Sequence, residues 1–379
     1  MNFEKFKTVN FIIERDSKDT TYKFALLRAA IESVQEFEHL KKEINNKVLF
    51  PLGILIQKWI LYYYPLLENG IPQKHGKRNL AFQKFFIRVI DYYKDKGGIN
   101  ALYSDIKRGT IPTEIKVDFL NLLKKLKETI INMPMKYLGK SYFEKEYSIF
   151  QYNQDSKRIT SQDKIDQQFF IEKFGTFSIS KEIYIVFLYL GSFINGTESI
   201  LYKWAEFSVK ADQKGNFTIE KVLDKLLISP EDERDVLFAQ HIYKNLIHKN
   251  RKIECVWSGK AIANEHLLNV DHAIPFSIWK NNDLWNLLPT HKDINQKKKD
   301  KIPSPMLITK REEIIKYYWE ILEKEYKNKF RKEIVTDLIG FEKVKNESNI
   351  KEILENGIIQ LKSKAKYLIE IRGYEEWNI

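Results

Sequence analysis

The segment "PLGILIQKWILYYYPLL", Pro51 to Leu67, carries one charged side chain, Lys58. Pro51 lacks an amide hydrogen and has a fixed φ, which suits the first turn of a helix. A helix that is apolar on every side has no face to offer water, so this one has to be buried. The flanking sequence offers partners. "TYKFALLRAAIESVQEFEHLKKEI" repeats apolar residues at Phe24, Leu27, Ala30, Ile31 and Val34, a helical spacing. "FQKFFIRVIDYYKDKGG" reads as a helix closed by Gly97 and Gly98, and "PTEIKVDFLNLLKKLKETII" as another. Aromatic side chains at helical spacing are core far more often than base-stacking platforms, and we read them as core.

Beyond this first third the periodicity weakens. "YFEKEYSIFQY" alternates enough to suggest short strands within 142–160, while "SKEIYIVFLYLGSFI" and "TESILYKWAEFSV" suit either helix or strand. A helix start is expected at "SPEDERDVLFAQHIYKNLIHKN": Ser229 can cap, Pro230 fits the first turn, and Glu231, Asp232 and Glu233 complement the helix dipole. Charged amphipathic helices fill the last seventy or so residues.

Apolar residues make up 43% of the chain and aromatics 13%, enough for a sizeable core. The formal net charge of +12 favours a polyanionic partner, but both signs are mixed among the 30% charged residues, so a solvated surface explains the charge equally well. A single cysteine, Cys255, rules out an intramolecular disulfide and an all-cysteine zinc site. It accords with a reducing cytoplasm, which we take as the expected location. The opening residues lack the apolar core of a signal peptide, and the longest apolar run, Ile183 to Ile194, is too short to span a bilayer, so no membrane association is expected. The chain has no phosphate-binding glycine loop, GxSxG elbow or HExxH pair.

The chemistry concentrates in "VDHAIPFSIWKNNDLWNLLPTHKDINQKKKDKIP", Val270 to Pro303. Two short apolar runs flank the turn "SIWKNND", and Thr290 with Asp293 has the form of a capping box. The expected order is strand, turn, strand, helix. Asp271 is a hard oxygen ligand beside His272, and Asn295, in the first turns of the helix, can point its amide oxygen back at the hairpin. With waters and a phosphate they compose an oxygen-rich shell of the kind Mg²⁺ or Mn²⁺ accepts. A neutral His272 can take a proton from an attacking water. Lys298 shares a helical face with Asn295 and is our first candidate to hold a phosphate, with Lys297 and Lys260 as further candidates.

These residues resemble the HNH (ββα-metal) nuclease motif, with a spacing especially similar to the HNH domain of CRISPR RNA-guided nucleases. The shared pattern is D-H-x-x-P-x-S, an Asn fourteen residues after the His, then N-x-x-K-x-D-x-x-P. It falls here on Asp271, His272, Pro275 and Ser277, on Asn286, and on Asn295, Lys298, Asp300 and Pro303. "CVWSGKAI" from Cys255 resembles the segment before the catalytic pair. The resemblance implies Asp271 and Asn295 as metal ligands, His272 as general base, and Asn286 as the residue that braces the hairpin and orients His272. The match runs from Cys255 to Pro303 and extends to no other domain of those nucleases. Many HNH proteins bind a structural zinc through two CxxC pairs. The matching positions here are Cys255, Ser258, His291 and Ile294, so a structural zinc is not expected, and Trp257, Trp285 and Leu287 are expected to fill its place. His291 is either an accessory to the site or a residue near the helix start.

The expectation is a mainly α chain with an embedded α+β HNH (ββα-metal) module: a helical region over 1–228, the module over 229–306, and a helical region over 307–379. The expected function is metal-dependent hydrolysis of DNA phosphodiester bonds, with a restriction or anti-phage role by family analogy. A single site cuts one strand, so a double-strand break would call for a homodimer, a defence-system partner or two nicks. Phosphate contacts do not separate RNA from DNA, so an RNase or a partner-gated nuclease stays open. A nucleic-acid-binding subunit with a non-catalytic module is the alternative of a different class.

Overall fold

A computed structural model describes residues 3–16, 18–76, 79–139, 148–194, 200–230, 234–340, 343–344 and 349–379. The chain divides into two compact units, Met1–Glu231 and Asp232–Ile379. Residues 307–379 therefore belong to the same unit as the module and do not form a region of their own.

The first unit runs α1 (Phe3–Arg15), α2 (Tyr22–Glu36), β1 (Lys42–Ile44), β2 (Lys47–Pro51), α3 (Leu52–Glu68), α4 (Gln83–Tyr93), α5 (Gly98–Arg108), α6 (Thr113–Asn132), α7 (Pro134–Tyr137), β3 (Gln151–Asn153), α8 (Gln167–Lys173), β4 (Thr176–Ser180), α9 (Lys181–Ile194), α10 (Ile200–Ala211) and α11 (Ile219–Leu226). The apolar helix α3 is enclosed by α2, α4, α5, α6, α8 and α11. Trp59 and Tyr63 on it pack with Tyr22, Phe82 and Trp204 in an aromatic cluster. At Gly53 a methyl group would fall 1.8 Å from the Phe170 carbonyl oxygen, so the approach of α3 to α8 depends on the missing side chain. Pro51 ends β2 and precedes the helix, one position earlier than expected.

The helix expected to run through Ile44 stops at Glu36. A hairpin takes its place: Ile44 pairs with Lys47 across Asn45 and Asn46, whose φ values are 49° and 60°. Two asparagines in the left-handed region form the tight two-residue turn that matches strand twist. The hairpin extends into an antiparallel sheet of order β1-β2-β4-β3, with Phe50 and Tyr152 both opposite Phe177. Residues 142–147 of the strand expectation lie outside the described residues, and the remainder holds β3. The two ambiguous segments are the helices α9 and α10.

The second unit contains α12 (Leu237–His248), β5 (Leu268–His272), β6 (Leu287–His291), α13 (Lys292–Lys298), β7 (Ile302–Pro303), α14 (Pro305–Lys310), α15 (Glu312–Glu325), α16 (Lys327–Ile334), α17 (Ile350–Glu370) and β8 (Glu376–Trp377). Helix α12 begins at Leu237, well after the expected cap at Ser229; Glu231, Asp232 and Glu233 lie outside the described residues. The backbone there has other partners. Asp235 donates its amide to Asn282 Oδ1 at 3.0 Å, and its carboxylate accepts the Leu237 amide at 2.9 Å. The C-terminal helices pack behind the hairpin. Trp319 Nε1 donates to the Trp285 carbonyl at 2.7 Å, the Leu284 amide donates to Glu333 at 2.9 Å, and β8 pairs in parallel with β7. The whole is mainly α, with a small α+β module between α12 and α14.

Candidate functional site

Strands β5 and β6 form an antiparallel pair with Asp271 opposite Leu288 and His272 opposite Leu287. The Ala273 amide donates to the Asn286 carbonyl at 2.7 Å, which sets the phase of the ladder. His272–Leu287 and Val270–Pro289 are then non-hydrogen-bonded pairs, whose backbone groups turn away from the partner strand. Pro289 consequently sits where β5 needs no amide hydrogen. The outward carbonyls take other donors: Val270 from Arg234 at 3.4 Å, His272 from Lys298 at 2.9 Å, Leu287 from the Tyr243 hydroxyl at 2.8 Å.

Asp271 is buried. Its Oδ2 accepts Trp257 Nε1 at 2.7 Å and lies 3.0 Å from Lys298 Nζ, which is 3.2 Å from Oδ1. Lys298 is not on the surface as its lysine-run context suggests. Its side chain is fully buried and its ammonium serves Asp271 and the His272 carbonyl. Burial lowers the Lys298 pKa and Asp271 opposes that effect.

His272 is also buried. Its Nε2 lies 3.1 Å from Asn282 Oδ1, the atom that accepts the Asp235 amide, and its ring packs on Phe276. An atom that takes a backbone N–H is the amide oxygen, so Nε2 carries the proton and donates to it. Nδ1 is then the unprotonated nitrogen, and it is buried without a hydrogen-bond partner among the described residues. Burial pulls the His272 pKa down to about 4; Arg234 and Lys298 act in the same direction, Asn282 and Asp271 against it.

Asn286 is fully buried. Its Oδ1 accepts the Ile274 amide at 2.8 Å, and its Nδ2 donates to the carbonyls of Ile274 at 3.0 Å and Asn281 at 3.3 Å. It braces the loop after His272, whereas the residue hydrogen-bonded to the imidazole is Asn282. Asn295 is half-buried on α13, and its side-chain amide has no hydrogen bond among the described residues. The expected Thr290 cap is replaced by His291. Thr290 is buried at the end of β6, while His291 Nδ1 accepts the Asp293 amide at 3.3 Å and so caps α13. Lys297 and Lys260 are exposed, with Lys260 Nζ 3.5 Å from Asp293. Trp257, Trp285 and Leu287 are buried, as is Cys255. Sequence reasoning missed Asn282 and Arg234, and it named Trp257 as a packing residue without its hydrogen bond to Asp271. Asn282 lies in an ordinary polar turn, and nothing local marks it.

Two family models match the chain. One, described as a domain of unknown function (DUF8808), matches residues 2–226, more than half of the sequence. The chain belongs to the DUF8808 family. The other, described as HNH endonuclease, matches residues 255–304, so an HNH-family module follows the DUF8808 region. No curated protein and no solved structure matches the chain.

The HNH module's donors suit a hard cation. Among the described residues no cluster of three or more His, Cys, Asp or Glu exists, so a divalent ion here would complete its shell with amide, water and phosphate oxygens. Asp271 offers the carboxylate and Asn295 an uncommitted amide oxygen. The residues fit such an ion on one condition: the Lys298 ammonium has to yield the Asp271 carboxylate.

Proposed function

We propose that the HNH module hydrolyses phosphodiester bonds in nucleic acid, with DNA as the first substrate to test. The arrangement of His272 carries this reading. Its Nε2–H is anchored on Asn282 Oδ1, which leaves the lone pair on Nδ1 to accept a proton, as a general base must. Arg234, whose charge acts on this histidine, adds the positive charge a phosphate substrate requires.

In this mechanism a water oxygen bonds to phosphorus as the bond to the leaving sugar oxygen breaks. The water's proton passes to His272 Nδ1, and the leaving oxygen takes a proton from solvent. Asn282 keeps the imidazole in one tautomer, and Asn286 holds the loop that carries it. A Mg²⁺ or Mn²⁺ ion held by Asp271 and Asn295 would supply the charge that polarises the phosphate and stabilises the leaving oxygen. A role in restriction or anti-phage defence rests on family analogy, and cleavage mapping on methylated and unmethylated phage DNA tests it.

The decisive experiment incubates the full chain with plasmid DNA and structured RNA in Mg²⁺ or Mn²⁺, beside His272→Ala. We expect nicking by the wild type and a loss of at least a hundredfold in the variant. Cleavage of RNA alone reassigns the substrate. Equal cleavage by both proteins removes His272 from its role, and binding without cleavage makes the module a recognition element.

A further inference from the structure

Between the DUF8808 match, which ends at 226, and the HNH match, which begins at 255, lies the short segment 234–236 that leads into α12. Neither family match covers it, yet two of its groups reach the site. The Asp235 amide is bonded to the Asn282 oxygen that also holds His272. Arg234 Nη2 donates to the Val270 carbonyl on the outer edge of β5. Lys298 binds the next outward carbonyl on that edge, two residues on, at His272. Outward carbonyls two residues apart along a strand are separated by about 7 Å, so two cations are set in a row beside Asp271 and His272.

The two cations differ in what they can still do. Lys298 is enclosed and neutralised by Asp271. Arg234 is exposed, and among the described residues it has no carboxylate partner. The carboxylate of Asp235 is already used on the Leu237 amide. One guanidinium nitrogen is held by the Val270 carbonyl, and no other hydrogen bond to the fork is found among the described residues. Its charge also acts on both His272 and Lys298, which places it in the electrostatic field of the site. A planar fork with no carboxylate partner among the described residues is suited to a phosphate, whose oxygens it can grip in pairs.

We propose that Arg234 is the residue that binds the substrate phosphate beside His272, supplied by the segment leading into the HNH module. This rests on the phosphodiesterase reading of the module. Arg234 would hold the reacting phosphate so that a nonbridging oxygen gains charge on phosphorane formation against a fixed guanidinium. The carbonyl of Val270 fixes one end of the fork, so little side-chain freedom is lost on binding.

The test compares wild type, Arg234→Ala, Arg234→Lys and His272→Ala, all as full chains. Plasmid nicking is followed under single-turnover conditions, and binding of a 30-base-pair duplex (about three turns) is followed by anisotropy in EDTA against salt. We expect Arg234→Ala to lose about a hundredfold in kcat/KM with an unchanged melting temperature, and its binding to lose about 0.9 in the log–log salt slope, the signature of one phosphate contact. Arg234→Lys should restore most of the slope and part of the rate, because charge is kept and the fork is lost. Nicking by Arg234→Ala within about threefold of wild type, or a salt slope that does not change, overturns the assignment while the nuclease reading stands. Equal loss in Arg234→Ala and Arg234→Lys, with both salt slopes unchanged, shows a purely structural role and also overturns it. Failure of the wild type to cut any nucleic acid removes the nuclease reading and this proposal with it.

Discussion

Replacing Lys298 with Met tests the buried pair at the centre of the site. The Lys298 side chain is 0% exposed and that of Asp271 4%, so neither charge has access to solvent. Met fills most of the lysine's aliphatic volume. The main effect is a carboxylate left in the interior with Trp257 Nε1 as its remaining side-chain donor. Removing one member of a buried ion pair costs roughly 3–5 kcal/mol. The retained indole bond puts the expected loss near the low end, about 3 kcal/mol. The assay is urea unfolding in EDTA followed by tryptophan fluorescence, since Trp257 contacts the perturbed carboxylate directly. A second change, Asp271→Asn, removes the stranded charge and should recover most of the loss in the double variant. Adding Mn²⁺ then separates the two proteins. In the single variant the ion enters a carboxylate with no competing ammonium, and at a hundred times its Kd it restores about 2.7 kcal/mol. In the wild type the same ion first has to displace Lys298, so its affinity is lower. Two results would refute the reasoning: a Lys298→Met protein as stable as wild type in EDTA, or equal Mn²⁺ affinity in the two proteins by calorimetry.

Asn286→Ala should destabilise the second unit by about 2–4 kcal/mol, since three buried backbone groups lose their partner at once; urea unfolding checks the figure, and a loss below about 1 kcal/mol would show that the loop is held elsewhere. Glu333 supplies a pH dependence. Burial first, and the Asp283 carboxylate second, push its pKa up to about 7 from the ordinary 4.5, against the opposing effects of Lys329 and the Leu284 amide. Between those values the folded chain keeps a proton that the unfolded chain releases. The contribution is therefore complete below pH 4.5 and is lost as pH rises through 7, about 3 kcal/mol over the window. Melting temperatures measured across this range should fall with pH in the wild type and flatten in Glu333→Gln.

What could be read from the sequence divides by the range of the forces involved. Helix α3 is legible because an apolar residue on every face admits one environment, and α6 and α17 follow from their periodicity. The four-stranded sheet is not, because its strands are three to five residues long and its central pairing, β2 with β4, joins positions more than a hundred residues apart. Only the Asn45–Asn46 turn marks it locally. The start of α12 is misread because Ser229 and Pro230 give a strong local cap signal, while Asn282 binds the backbone of Asp235 from a distance. Within the site, the resemblance points to Asp271, His272, Asn286 and Asn295. Lys298 reads as the phosphate-holding lysine of its run until Asp271, twenty-seven residues earlier, is seen to hold it in the interior.

The pairing of β7 with β8 bears on how this chain can be engineered. The Ile302 amide donates to the Glu375 carbonyl at 2.8 Å, the Ser304 amide to Trp377 at 3.0 Å, and the Ser304 hydroxyl bonds Asn378. The stretch that closes the HNH match at 304 is thus clasped by residues some seventy positions downstream. A graft cut to 255–304 would carry a raw strand edge and lose the indole of Trp319 from the Trp285 carbonyl. The smallest transplantable cassette is therefore the unit from Asp232 to Ile379, and a fusion partner placed directly after Ile379 should be spaced by a flexible linker so that the clasp can still close.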